Sequence, residues 1–226
     1  MIVTLDRIPV RLDPDSVARH MRLRRKDPAM LETIEALIED VLAAAHPKVM
    51  FKTCFVDRLD SDQVVIDGVR FTSRVLAKNL ENAERVFPYV ATCGVELDAL
   101  TPPPNDIMKT FILDSLKELV LFQAHAHLDR HLSEHLAVYQ KAHMNPGSLS
   151  DWPIDQQPVL FSLLGDVEAR IGVRLTESHL MTPIKSVAGI YFPTALDFKS
   201  CMLCPRHDCP RRQAEFDPDK YKDFMD

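Results

Sequence analysis

The longest regular pattern in the sequence is a helical one that begins near Asp106 and continues to about Ala142. It follows three consecutive prolines at 102–104, which a regular element does not accept in its interior. We expect one stripe of this helix to face the core, made of side chains at helical spacing: Ile107, Phe111, Ser115, Leu119 and Phe122. Any fold for the chain has to be arranged around this single long helix.

The other segments carry helical or extended patterns. A second helix is predicted from Pro28, with Asp27 as its N-cap, because apolar residues recur at helical spacing up to Pro47. Shorter helices are predicted at about 73–83 and 155–170, and strands at VMFKTCFVD, QVVIDGVRF, VFPYVAT, GVRLTES and SVAGIYF, with a hairpin turn at Asp67-Gly68. These elements lack a regular βαβ order, so we predict an α+β fold with a mainly antiparallel sheet.

Composition limits the classes of function. A net charge of −6 over 226 residues disfavours nucleic acid and anionic membrane surfaces as main partners. No run approaches the roughly 20 apolar residues of a membrane-spanning helix, and the first residues lack the pattern of a signal peptide, so we expect a cytoplasmic protein. The sequence contains neither the GxSxG motif of hydrolases nor a Gly-rich phosphate loop.

Three local patterns have both a chemical and a structural interpretation. His127, His131 and His135 lie four residues apart on the long helix, which permits metal binding, but their charged neighbours favour a solvated face. Cys93, at the end of a predicted strand, is either a reactive thiol or a small buried side chain, and burial is favoured. The loop MNPGSLSDWP offers the flat face of Trp152 to a planar ligand, although a structural turn is the favoured interpretation.

A series of motifs follows this loop in a defined order. They are Asn145-Pro146-Gly147, a helix near Asp155, Ile171-Gly172-Val173 and the stretch RLTESHLMTPIKSVAGIYF. In this order and spacing the chain resembles the activation domain of cobalamin-dependent methionine synthase, with a weaker likeness that extends upstream to Thr92-Cys93-Gly94. It is also similar to a group of stand-alone proteins of corrinoid-using anaerobes that end in a cysteine-rich tail.

The resemblance implies both a fold and a function. It implies a C-shaped domain, over residues 1–198, that binds S-adenosylmethionine and caps a corrinoid-carrying domain. An external low-potential electron and the methyl group of S-adenosylmethionine would there convert an inactive Co(II) corrinoid to methylcobalamin. The implied partner is a corrinoid-binding protein or a methionine synthase core. Two alternatives stay open: a non-catalytic cap that binds a corrinoid protein, and a metal-binding regulatory module on the same scaffold.

The site residues that the resemblance implies lie in the loop and in the last long strand. They are His143, Asn145, Pro146, Gly147, Ser148 and Tyr191. His143 stands where the family has an arginine that contacts the carboxylate of the cofactor, and Ser148 stands where it has a tyrosine. An acidic residue on the family's long helix has its nearest equivalent at Gln123. An imidazole cannot reproduce a bidentate guanidinium, so main-chain contacts in the loop and packing from Tyr191 are expected to carry the binding.

Residues 199–226 are predicted to form a separate cysteine-rich tail. Its candidate metal ligands are Cys201, Cys204, Cys209 and His207. Four such donors suit tetrahedral zinc or a [4Fe–4S] cluster, and an outside ligand such as Cys93, Cys54, water or a small molecule is the alternative to His207. Three free thiols in a surface extension are the non-metal interpretation. A cluster would fit the low potential that reduction of a corrinoid requires.

Overall fold

A computed structural model describes residues 1–23 and 27–225; residues 24–26 of the predicted first domain and Asp226 of the predicted tail lie outside the described residues. The strands are β1 Ile2–Leu5, β2 Lys48–Lys52, β3 Cys54–Leu59, β4 Gln63–Ile66, β5 Val69–Thr72, β6 Arg85–Thr92, β7 Lys141–Met144, β8 Arg174–Leu175, β9 Met181–Thr182 and β10 Ser186–Pro193. The helices are α1 Pro14–His20, α2 Pro28–Ala44, α3 Arg74–Asn79, α4 Val95–Asp98, α5 Ile107–Leu136, α6 Gln157–Leu164, α7 Val167–Ile171 and α8 Pro218–Met225. Short 3-10 helices lie at Ile154–Gln156 and Ser200–Leu203. The predicted α+β class is confirmed.

Strand β6 is the centre of the main sheet. On one side it pairs with β2 and then with β3, and on the other side with β10, which in turn pairs with β7. Strand β1 lies beyond β2, and β4 and β5 continue from β3; all of these pairs are antiparallel. The pairing of β7 with β10 brings the loop after Met144 next to the strand that contains Tyr191.

Side chains on the two faces of β6 enter two different hydrophobic cores. Phe87 and Tyr89 pack with the buried faces of α2 and α5, whereas Val86 and Val90 pack with residues of α3, α6, α7 and α8. Side chains alternate between the faces of a strand, so a strand covered on both sides has an unbroken apolar sequence. This is why VFPYVAT reads as a buried strand, and the structure confirms that prediction.

The long helix α5 ends earlier than its sequence pattern indicates. It stops at Leu136, and Ala137 adopts a left-handed conformation with φ 56°. Residues 141–144 form β7 instead, so the prediction that the helix continues to Ala142 was wrong. Pairing with β10 satisfies the backbone groups of this segment, and that partner is not visible in the local pattern.

The predicted core stripe of α5 was wrong at three of its five positions, whereas Ser115 is buried and Leu119 packs against the core. Ile107, Phe111 and Phe122 are 84%, 49% and 44% exposed. The buried apolar face is made of Ile112, Leu113, Leu116, Val120, Leu121, Ala124, Leu128 and Leu132. Apolar residues occupy more than one face of the first turns of this helix, so periodicity alone could not show which face meets the sheet.

Two structural interpretations from the sequence are confirmed. Trp152 is fully buried, with its ring centroid 6.1 Å from that of Phe71, so its loop is a structural turn and its face is not open to a ligand. Cys93 is also fully buried, and burial raises the pKa of its thiol to about 12. The single helix predicted at 155–170 is instead divided, because Gly165, with φ 76°, ends α6 and Asp166 caps α7.

The tail packs on the rest of the chain. Leu203 and Phe224 belong to the same core as Val90, and Lys78 forms an ion pair with Asp223 at 2.7 Å. The boundary at 198/199 stays a prediction. Within residues 1–23 and 27–225, no helix combines the length and the apolar character needed to cross a membrane.

Candidate functional site

The pairing of β7 with β10 positions the first two predicted site residues. His143 lies opposite Tyr191 in the register, and their ring centroids are 5.0 Å apart. Tyr191 is only 2% exposed, whereas His143 is partly exposed. Burial lowers the pKa of His143, so its imidazole is neutral near neutral pH. This neutral ring cannot act as the cation that an arginine at the same position would provide.

Asn145 is used to hold the loop against the sheet. Its Nδ2 donates to the carbonyl oxygen of Ala188 at 2.7 Å and to the hydroxyl of Tyr89 at 2.9 Å. This close approach needs the glycine at position 189. A Cβ there would lie 2.4 Å from both Asn145 Nδ2 and the carbonyl oxygen of Met144.

We expect Gly189→Ala to lower the free energy of unfolding by about 1–3 kcal/mol, because the new methyl group must displace backbone as well as the Asn145 side chain. Urea unfolding followed by circular dichroism measures the change. A value within about 0.5 kcal/mol of wild type would contradict the close contact between loop and strand.

His125 is a site residue that the sequence analysis did not single out. Its Nε2 lies 2.9 Å from the hydroxyl of Tyr89 and 3.1 Å from that of Tyr191. Its ring is 4.8 Å from that of His143. Burial, and secondly His143, lower the pKa of His125 to about 3. Helical spacing was a signal for His125 in the sequence, because position 125 falls four residues after Leu121 on the buried face of α5. His127, His131 and His135 lie on a different face of the helix.

A cavity of about 450 Å³ opens beside these rings. One part of its wall is apolar, formed by Leu121, Phe122, Ile184 and Val187. The polar part contains Glu118, His125, His143, Lys185, Ser186, Arg211 and Gln213. Apolar walls with a few converging polar groups are typical of sites for small organic ligands.

A second cavity, of about 300 Å³, lies between the predicted loop and the tail. From the loop side it is lined by His143, Asn145 and Ser148. It is also lined by Phe198 and by the tail residues Lys199, Ser200, Cys201, Cys204, Arg206, Cys209, Arg211 and Gln213. His143, Arg211 and Gln213 line both cavities. The structure therefore brings the predicted loop and the predicted cysteine cluster to one place.

Arginines hold the tail in this position. Arg211 contacts Glu118, a carboxylate on α5 that is 8% exposed and whose other oxygen lies 3.0 Å from Nε2 of His20. Arg22 donates to the carbonyl oxygen of Pro210 at 2.6 Å. Buried carboxylates are rarely left without a cationic partner, so Glu118 ties the N-terminal segment, α5 and the tail together.

The remaining predicted residues have different surroundings. Pro146 is buried, and Gly147 takes φ 82° in a turn where its N–H donates to the carbonyl oxygen of Trp152 at 2.7 Å. Neither lines the two cavities, and neither does Tyr191. His207 is exposed and is also outside both linings. For Pro146, Gly147, Tyr191 and His207, a role in binding a cofactor or metal remains a prediction.

Comparison with known proteins gives the site its context. Residues 121–199 match the family described as "Vitamin B12 dependent methionine synthase, activation domain". A solved structure described as "Crystal Structure of the MetH Reactivation Domain bound to AdoHcy" superposes with a TM-score of 0.61 at 17% identity, over 88% of this chain and 81% of that one. The chain has the fold of a methionine synthase activation domain. The search of curated proteins finds no match.

The segment that matches the family confirms the resemblance over residues 121–199. It runs from Leu121 through His125, the loop and β10, and so contains one side of both cavities. The cysteines and Arg211 lie beyond it, in the tail. The matched segment therefore contributes His125, His143 and the loop, and residues after it contribute the cysteines and Arg211.

Proposed function

We propose that this protein is a reactivation module for a corrinoid (vitamin B12)-dependent methyltransferase of the methionine synthase kind. In this role it holds S-adenosylmethionine against a corrinoid carried by a separate partner protein. The observation that carries the proposal is the family match over residues 121–199, because that segment contributes His125, His143 and the apolar wall of the larger cavity. The AdoHcy to which the similar solved structure is bound belongs to the same chemical class as S-adenosylmethionine.

Methyl transfer to the corrinoid requires little direct chemical participation from the protein's side chains. A Co(II) corrinoid on the partner would need one electron from an external low-potential donor. The methyl group of S-adenosylmethionine would then be transferred to cobalt, and the electron pair of the broken C–S bond would leave with the sulfur of S-adenosylhomocysteine. The protein has to hold the two reactants in line, and such positioning is worth up to about 7–11 kcal/mol of the barrier. No acid or base is needed in this transfer.

The larger cavity is suited to the methyl donor. Phe122 provides an aromatic face for adenine, and Ile184 and Val187 continue the apolar wall. Arg211 is the guanidinium in the lining, and carboxylates are its preferred partners. We therefore assign the amino-acid end of the ligand to Arg211, with Glu118 holding the guanidinium in place.

Calorimetric titration tests this assignment. We expect a saturable signal with S-adenosylhomocysteine, and about tenfold weaker binding for Phe122→Ala, because the aromatic wall is lost. Phe111→Ala is the matched control, since this side chain is similarly exposed on the same helix and does not line the cavity. Its affinity should stay within about twofold of wild type. An equal loss in both variants, or no heat at millimolar ligand with the wild type, would contradict the ligand site.

A second experiment separates this proposal from the non-catalytic cap. A Co(II) corrinoid protein is incubated with a low-potential reductant and S-adenosylmethionine, with and without the full chain, and methylcobalamin is followed by absorption. We expect its formation to depend on the chain. The non-catalytic cap would be favoured by three results together. The chain would co-purify with the corrinoid protein, no methylcobalamin would form, and the calorimetric titration would show no heat of binding.

A further inference from the structure

We propose that the smaller cavity is the site of a [4Fe–4S] cluster whose ligands are Cys201, Cys204 and Cys209 of the tail and His143 of strand β7. All four side chains line this one cavity of about 300 Å³. Three come from the tail and the fourth comes from strand β7, so the cluster would join the tail to the main sheet. This ligand set differs from the one that spacing alone suggests, in which His207 is the fourth donor.

The tail loop is already folded in a way that suits thiolate ligands. The guanidinium of Arg212 donates to the carbonyl oxygens of Cys201 at 3.0 Å, Cys204 at 2.9 Å and Ala214 at 2.9 Å, and also to that of Arg206. One partly buried cation thus holds the backbone at Cys201 and Cys204, and the backbone N–H of the same arginine donates to the carbonyl oxygen of Cys209 at 3.2 Å. The backbone N–H of Gln213 donates to Cys201 Sγ at 3.4 Å. Hydrogen bonds of this kind to sulfur tune the potential of iron–sulfur clusters.

A cluster and a single metal ion place different demands on their donors. A zinc ion needs its four donors to converge on one point. A [4Fe–4S] cluster presents four separate iron corners, each of which takes one ligand, so its donors must surround a volume. In the part of the chain that the structure describes, no group of three or more histidine, cysteine, aspartate or glutamate side chains is arranged to hold a metal ion. The proposal therefore rests on the lining that the four ligands share.

His143 is better placed than His207 for the fourth position. His207 is exposed and lies outside the lining, whereas His143 lines the same cavity as the three cysteines. Its ring nitrogens form no hydrogen bond with the described residues, and its ring packs against those of His125 and Tyr191. A ring held by packing, with its nitrogens free, can bind iron without breaking an existing hydrogen bond.

The ligand set stands on these residues alone, and only its purpose rests on the proposed function. His143 also lines the larger cavity, which we assign to S-adenosylmethionine. A cluster bound through His143 would therefore adjoin the place where a corrinoid must receive its electron. Iron binding is measured without corrinoid or S-adenosylmethionine, so failure of the cluster and failure of the reactivation role are separate results.

The experiment uses the full chain, purified anaerobically and reconstituted with ferrous iron and sulfide. We expect about four iron and four sulfide per chain, visible charge-transfer absorption, and an electron paramagnetic resonance signal after reduction. Cys201→Ser, Cys204→Ser and Cys209→Ser should each lose most of the iron, while Cys93→Ala, at a buried cysteine of the core, should keep it. Far-ultraviolet circular dichroism checks that each variant is folded.

The histidine variants decide the fourth ligand. His143→Ala should lose iron or change the resonance signal, His143→Cys should restore a full cluster at a lower potential, and His207→Ala should match the wild type, because thiolate lowers the potential relative to imidazole. If His207→Ala loses iron while His143→Ala keeps the iron content of the wild type, the assignment of His143 as the fourth ligand is overturned. Zinc in place of iron after reconstitution, or only a disulfide among the tail cysteines, would overturn the cluster itself.

Discussion

Trp152→Ala is expected to lower the free energy of unfolding by about 3–5 kcal/mol, because a fully buried tryptophan is removed and the core cannot close around the gap. The side chain belongs to the core between the sheet and α6, and it packs edge-on against Phe71. Urea unfolding followed by circular dichroism gives the value; fluorescence does not serve, since this is the single tryptophan of the chain.

Two further variants make the result specific. Trp152→Phe keeps most of the volume and should cost about 1.5 kcal/mol or less, because the indole nitrogen has no hydrogen-bond partner to lose within the described part. Ile184→Ala removes an apolar side chain that is 79% exposed and should stay within about 0.5 kcal/mol of wild type. Equal effects for Trp152→Ala and Ile184→Ala would show that the loop is not part of the core.

The five cysteines are expected to divide into two classes when metal-free native protein meets a thiol reagent. Cys54 and Cys93 are buried, and burial raises the pKa of each thiol to about 12, with Asp67 adding to the effect at Cys54. The thiolate is the reactive form, and near pH 7.5 a pKa of 12 leaves about a thousandfold less of it than an ordinary cysteine has. The three tail cysteines are only partly buried.

Titration with an aromatic disulfide reagent checks this division. Three thiols should react promptly in the native protein, and all five in urea. Cys93→Ala should leave the prompt count at three and reduce the count in urea to four. A prompt count of five would contradict the burial of the two core thiols. If the reconstituted protein carries the proposed cluster, the prompt count should fall towards zero.

Several elements were predictable because their signals are local. Asp27 accepts a hydrogen bond from the N–H of Ala29 at the start of α2, as its position before a proline indicates. The turn at Asp67-Gly68 has positive φ at both residues, as its dipeptide indicates. Strand β6 carries an unbroken run without charged side chains from Val86 to Ala91 because both of its faces are covered. In each case the physical cause lies within a few residues of its effect.

Other features depend on partners that are distant in the sequence. The end of α5 is one of them, because residues 141–144 become a strand only through pairing with β10. The buried position of Tyr191 is another, since its hydroxyl reaches His125 across 66 positions. A local pattern contains no record of such a partner.

The sequence by itself determined the α+β class, the motifs of the activation-domain family and a cluster of three cysteines near the end of the chain. Only the tertiary structure decided that His125 lines a cavity and that Tyr191 contacts His125 without lining either cavity. It also decided that His143 and Arg211 line both cavities. The reason is physical: propensities, caps and turns act over a few residues, whereas a cavity exists only after separate segments have packed around it.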